Sequence, residues 1–221
     1  CFAIPQHARI QVFLTILLCQ KADPTNPADS EGESRMSKLF DPNQPAGKIL
    51  QDWWLELIDN RGERAELRRA KSVTDAALQP VTIRLITRLQ PLPSNKYERI
   101  ALIAVLAAQL KPEMETEILG TPPKYGDARL EKNSLPARMA KPKGDRMIVS
   151  ELRFRRLLRY KTTNELYRPM IRILALLDHQ ANLFDLAESM YWWGDQIRKK
   201  DQIRKNWAFA YFPRIPDSSA G

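Results

Sequence analysis

The run IALIAVLAAQL at residues 100–110 is apolar on nearly every side and is interrupted only by Gln109. A helix that is greasy all round has to be covered all round, so residues 96–111 are expected to form the buried central helix of a bundle. The rest of the chain must then supply helices with one apolar face each. Residues 48–60 do so, because Ile49, Leu50, Trp53, Trp54, Leu57 and Ile58 recur in the two-row stripe of an amphipathic helix, with Pro45 near its start. Asn60, Arg61 and Gly62 interrupt that pattern, and residues 63–70 resume it as a short charged helix with Ala65, Leu67 and Ala70 on one side. A further helical segment at 81–89 ends before Pro91 and Pro93, which cannot continue a helix interior.

Residues 112–147 carry Pro112, Pro122, Pro123, Pro136 and Pro142 with Gly120, Gly126 and Gly144. They read as a long connection holding at most a short helix around residues 134–140. A loop of this length is unusual inside one compact domain and points to a linker or to a segment that orders on a partner. Beyond it, residues 150–160 form a helix, and Thr162 with Glu165 has the S/T-x-x-E spacing of a capping box that opens the next one. Pro169 inside that pattern predicts a kink or a late start. Phe184, Ala187, Met190 and Tyr191 mark a helix over 183–193, followed by a charged helix to residue 205 and an aromatic tail of Trp207, Phe209, Tyr211 and Phe212.

These segments predict an all-α fold of two small helical bundles joined by a long loop: a bundle at 36–111, the connection at 112–147, a bundle at 148–213 and a flexible tail at 214–221. Sixteen Pro against eight Gly suit helices better than many tight turns, and 43% hydrophobic residues in a chain of 221 can fill a core. The first 35 residues are expected to lie outside the folded unit. Their apolar run IQVFLTILL at 10–18 is too short to span a bilayer, and bulky Leu17 and Leu18 stand where a signal peptidase requires small residues. The acidic, Pro-rich stretch 21–35 has too little apolar surface to order itself.

Catalytic chemistry has little to stand on. After residue 20 there is one histidine, His179, and no cysteine, so neither a metal cluster nor a thiol nucleophile can be assembled there, and no cofactor is expected. Both cysteines, Cys1 and Cys19, lie at the start, so the rest needs no disulfide and suits a reducing cytoplasm. No phosphate-binding glycine loop and no nucleophile elbow occurs. Glu113, Glu115 and Glu117 alternate on the connection and read as solvated carboxylates. His179 reads as a helix-end residue.

The charge has a direction. The formal net charge is +9, and residues 146–215 hold fourteen Lys or Arg against seven Asp or Glu, while 112–145 balance six against six. Within SELRFRRLLRY, Phe154, Leu157 and Leu158 share one helical arc and Arg153, Arg155, Arg156 and Arg159 the opposite one, with Lys161 just beyond. Glu151 is the one acid nearby. Guanidinium groups grip phosphate with a two-pronged fork, so this face is a candidate backbone-binding surface. In RGERAELRRA, Arg61, Arg64, Arg68 and Arg69 form a second cluster that Glu63 and Glu66 can partly neutralise, which leaves a purely structural reading open. Arg198, Lys199, Lys200, Arg204 and Lys205 form a third, beside Trp192 and Trp193, which could stack on bases but read as core.

The serial order WWLEL, RGERAELRRA, a Lys- and Pro-rich middle, SELRFRRLL, YWWG and WAFAYF resembles the CasB family, the small subunit of the type I-E CRISPR Cascade complex, over about residues 38–213. The resemblance implies a two-bundle helical protein without cleavage activity, present as a pair in the complex beside other Cascade subunits. It implies contacts to guide RNA and target DNA through their phosphate backbones, stabilising paired target and holding the displaced strand. It assigns nucleic-acid contact to Arg68 and Arg69 of the first motif and to Arg153, Arg155, Arg156 and Arg159 of the second. Two rival readings remain: a helical regulator that reads the major groove, which needs base-contacting side chains rather than a nearly pure arginine face, and a scaffold whose arginines meet acidic protein surfaces.

Overall fold

A computed structural model describes residues 38–90, 96–124, 132–195 and 201–212, all within the compact unit Ser37–Gly221. The expectations for residues 1–35, for the tail after 213 and for Arg198, Lys199 and Lys200 lie outside the described residues. The helices are α1 (Pro45–Asp59), α2 (Arg61–Arg69), α3 (Val73–Ala77), α4 (Pro80–Arg88) and α5 (Tyr97–Gln109), then α6 (Glu115–Ile118) behind a 3-10 turn at Pro112–Met114, and α7 (Leu135–Met139). After a two-stranded hairpin of β1 (Pro142–Lys143) and β2 (Arg146–Met147) come α8 (Glu151–Arg159), α9 (Thr163–Leu176), α10 (Leu183–Trp192) and α11 (Gln202–Tyr211). The fold is all-α, as the periodicity requires.

Helix α5 is the centre, with every residue from Ile100 to Gln109 buried. Helices α1, α2, α3 and α4 pack against it, and so do α9 and α10 from beyond the connection. Buried side chains from Phe40 to Tyr211 accordingly form one contiguous cluster. The tryptophans of α1 are core, and their indole N–H groups are satisfied there: Trp53 donates to the Val81 carbonyl at 2.9 Å and Trp54 to that of Ala107 at 3.1 Å.

Helix boundaries follow local chemistry. Pro45 and Pro80 occupy the first turns of α1 and α4, where a missing N–H costs nothing. The Asn60 and Ser72 side chains accept from the Glu63 and Asp75 backbones and so open α2 and α3. The expected capping box of α9 is complete, with Thr162 and Glu165 bonding each other's backbones. The helix then runs through Pro169 without the late start that proline suggested. The aromatic tail is also corrected: Trp207 and Tyr211, four residues apart, are buried on one side of helix α11.

Helix α10 is buried along its whole length, polar residues included. Those polar groups tie distant segments together. Asp185 accepts from the Leu135 N–H at 3.1 Å, Glu188 from the Phe40 N–H at 3.2 Å, and the Ser189 hydroxyl from the Trp207 indole at 3.1 Å. Satisfied in this way, they fix α7, the segment at Phe40 and α11 against one helix, and the hydrogen bonds offset the cost of burying the polar groups.

Candidate nucleic-acid interface

The surface builds outward from α8. Phe154 and Leu157 are buried and Leu158 is half-buried, while Arg153, Arg155, Arg156 and Arg159 are all exposed, as their spacing requires. Phe154 lies against Tyr211 of α11 in a parallel stack, with ring centroids 3.8 Å apart, and meets Phe212 edge-on at 5.7 Å. Arg204 of α11 donates to the Leu158 carbonyl at 2.9 Å and is paired with Asp201, so this member of the third cluster caps α8 rather than facing outward.

The four arginines are not equivalent. Arg155 bonds Glu151 at 2.6 Å and sits over the Phe212 ring at 5.1 Å, which neutralises part of its charge. Among the described residues, Arg153, Arg156 and Arg159 have no carboxylate partner. Lys161, exposed at the α8–α9 junction, sends its backbone N–H to Glu165 at 2.8 Å and keeps its side chain on the surface.

Sequence reasoning passed over the hairpin. Gly144, at φ +63, supplies the left-handed turn residue between β1 and β2. The Ile148 N–H donates to Lys141 at 2.9 Å and the Val149 N–H to Met139 at 3.0 Å, which fixes the hairpin's base to α7. The Tyr211 hydroxyl donates to the Val149 carbonyl at 2.7 Å and lies 3.2 Å from the Met147 sulfur. Between hairpin and helix runs a cleft of about 550 Å³, lined by Lys143, Arg146, Met147, Ile148, Ser150, Leu152, Arg153 and Arg156. Lys143 and Arg146 thus join two of the helix arginines. The glycine-led turn KGDR was the available signal, hidden by the even charge balance of its segment.

On α2 the cluster divides. Arg68 and Arg69 are exposed, but Arg64 turns inward and donates to the Ala108 carbonyl at 3.1 Å and the Leu110 carbonyl at 2.6 Å. It closes the C-terminus of α5. Burial, and then the charge of Arg68, lower its pKa from the usual arginine value. Glu63 bonds Arg84 at 2.5 Å and so is spent on α4. Next to this patch, Lys111 bonds Asp178 at 2.6 Å and its N–H donates to the His179 carbonyl at 3.1 Å. The Lys111 ammonium, by hydrogen bond and charge, holds the Asp178 carboxyl below its ordinary pKa, with a smaller contribution from Lys143.

Among the described residues no group of His, Cys, Asp and Glu is arranged to hold a metal, and no helix is long and apolar enough to cross a membrane. Trp193 and Trp192 are buried, the former donating to the Tyr160 carbonyl at 2.9 Å, so they serve as core.

Compared with models of protein families, the chain matches the one described as CRISPR-associated protein Cse2 over residues 63–212, a span that contains the α2 patch, the hairpin and α8. Nothing matches among curated proteins or among solved structures.

Proposed function

The chain belongs to the CRISPR-associated protein Cse2 family, the CasB subunits of type I-E Cascade, and on that premise we propose that it grips sugar-phosphate backbones which the guide has already selected. The observation that carries this reading is the exposed set Arg153, Arg156 and Arg159, without a carboxylate partner among the described residues, beside a cleft to which the hairpin adds Lys143 and Arg146. Such a surface recognises phosphate and carries no base code, so its contacts are indifferent to sequence.

Exchanging a DNA duplex for an RNA–DNA hybrid is close to balanced in free energy, so a few backbone contacts decide whether the opened state persists. The subunit's role is then to stabilise the R-loop, touching target and displaced strands, without cleaving either. Its partners are the other Cascade subunits, guide RNA, target DNA and a second copy of itself, and its compartment is the cytoplasm. Arg68, Arg69, Arg155 and Lys161 join the contact surface in this reading, together with Arg198, Lys199 and Lys200.

The test is R-loop retention by the assembled complex across a salt series, with Arg156 and Arg159 replaced by alanine. Retention falls on every target sequence alike, and each lost phosphate contact flattens the logarithmic salt slope by about 0.7 to 0.9. Retention unchanged at all salt concentrations overturns the reading.

A further inference from the structure

The cleft between hairpin and α8 has a floor that phosphate binding does not require. Leu152 is 71% exposed and Met147 42% exposed, both lining the cleft among Lys143, Arg146, Arg153 and Arg156. Leu152 is the second residue of α8, where a polar side chain would serve the helix better. The walls are fixed before any ligand arrives, since the hairpin is bonded to Met139 and Lys141 at its base and to Tyr211 at Val149. The Met147 sulfur rests against the Tyr211 hydroxyl at 3.2 Å, which ties this lining residue to the same support.

A duplex offers this cleft only phosphates and sugars, because its base faces are stacked inside. An unpaired strand offers phosphates together with free base faces, and sites for single strands combine a cationic groove with apolar or aromatic surfaces for the bases. Methionine sulfur makes favourable contact with aromatic rings, and nucleobases are such rings. We infer that the hairpin cleft holds an unpaired stretch of nucleic acid, with its phosphates on Lys143, Arg146, Arg153 and Arg156 and one unstacked base against Leu152 and Met147. This rests on the backbone-binding reading, whose displaced strand is already unpaired, and adds to it the place where such a strand and one of its bases are held. DNA and RNA share the chemistry involved, because no feature of the cleft depends on the sugar.

The full chain is titrated by fluorescence anisotropy with an oligothymidylate, an oligouridylate and a duplex of equal length. A 2-aminopurine-labelled strand reports the environment of the base. Leu152→Ser is expected to weaken both single strands about three- to tenfold, to abolish the 2-aminopurine change, and to leave the duplex unaffected. Leu78→Ser, which removes an equally exposed leucine outside the cleft, alters none of these. A stronger effect on one single strand than on the other identifies which of the two the cleft prefers and supports the inference equally.

If Leu152→Ser leaves the preference for single strands unaltered while Arg153→Ala with Arg156→Ala weakens every probe, the cleft inference falls and the backbone reading stands. If the arginine replacements also change nothing, the backbone reading falls with it. If Leu152→Ser impairs assembly of the complex but not strand binding, the apolar floor is a protein contact and the inference is overturned.

Discussion

Phe154 and Tyr211 lie face to face, 3.8 Å between ring centroids and 7° between planes, and through this stack the arginine helix is fixed to the last helix of the described chain. Tyr211 then reaches past Phe154 to the hairpin, donating to the Val149 carbonyl. One side chain thus sets the separation of the two walls of the cationic cleft.

Tyr211→Phe keeps the stack and removes the hydrogen bond, leaving the buried Val149 carbonyl unpaired. It is expected to cost about 1 to 2 kcal/mol of stability by urea unfolding. Tyr211→Ala removes the ring as well and should cost about 3 to 5 kcal/mol. Equal costs for the two substitutions would show that the stack contributes nothing.

The arginines of α8 differ in their freedom, and binding should rank them. Arg155 is half-neutralised by Glu151, whereas Arg156 and Arg159 are not. Arg155→Ala should therefore weaken R-loop retention less than either Arg156→Ala or Arg159→Ala. Glu151→Gln, which releases Arg155, should strengthen retention at low salt, with the gain fading as salt screens it. A loss on Glu151→Gln would mean that the pair positions Arg155 rather than restrains it.

Two glycines near the start should respond oppositely to alanine. A Cβ on Gly47 would press on the Asp41 carbonyl, whose carbon would be 2.6 Å away in backbone that cannot swing aside. Overpacking of this kind costs about 1 to 3 kcal/mol, more than the roughly 1 kcal/mol that alanine gains in a helix. At Gly62 the nearest atom is Asn60 Oδ1 at 3.5 Å, an ordinary contact. Gly62→Ala should therefore stabilise by about 0.4 to 1 kcal/mol, and paired thermal melts read both signs.

What could be read in the sequence was whatever repeats locally. Helix α5 was legible because its residues are apolar all round, and the start of α9 because Thr162 and Glu165 stand at capping-box spacing. Helix α3 spans only Val73–Ala77, too few residues to show a period, and the strands of two residues show none at all. The site was half legible for a related reason. Amphipathic spacing placed Arg153, Arg155, Arg156 and Arg159 outward, but it could not tell Arg64 from Arg68, because the carbonyls that claim Arg64 lie at Ala108 and Leu110. Nor could it bring Lys143 and Arg146 to α8, since that depends on Tyr211, some sixty residues further along the chain. The meeting of α9 and α10 with α1 to α4 on one helix was hidden in the same way, being a long-range fact with no local trace.

His179 makes folding depend on pH. Burial is the main cause that lowers its pKa from 6.5, followed by the charges of Arg68 and Lys111, with Arg64 adding to them and Asp178 opposing. A folded-state pKa below the unfolded one means that the unfolded chain takes up the proton first as pH falls. The resulting stability is complete above about 6.5 and is lost as pH drops toward the folded value. The residue also sits at φ +58, where asparagine is tolerated and most side chains are strained. His179→Asn is thus the replacement that removes the titration with least backbone cost. Urea unfolding of the parent chain from about pH 7.5 to 5.5 should show stability declining through this window, and the Asn variant should show a shallower decline whatever its absolute stability. The same slope in both would mean that His179 is protonated as readily in the folded chain as in the unfolded one, so that burial, the surrounding cations and Asp178 together leave its ring unshifted.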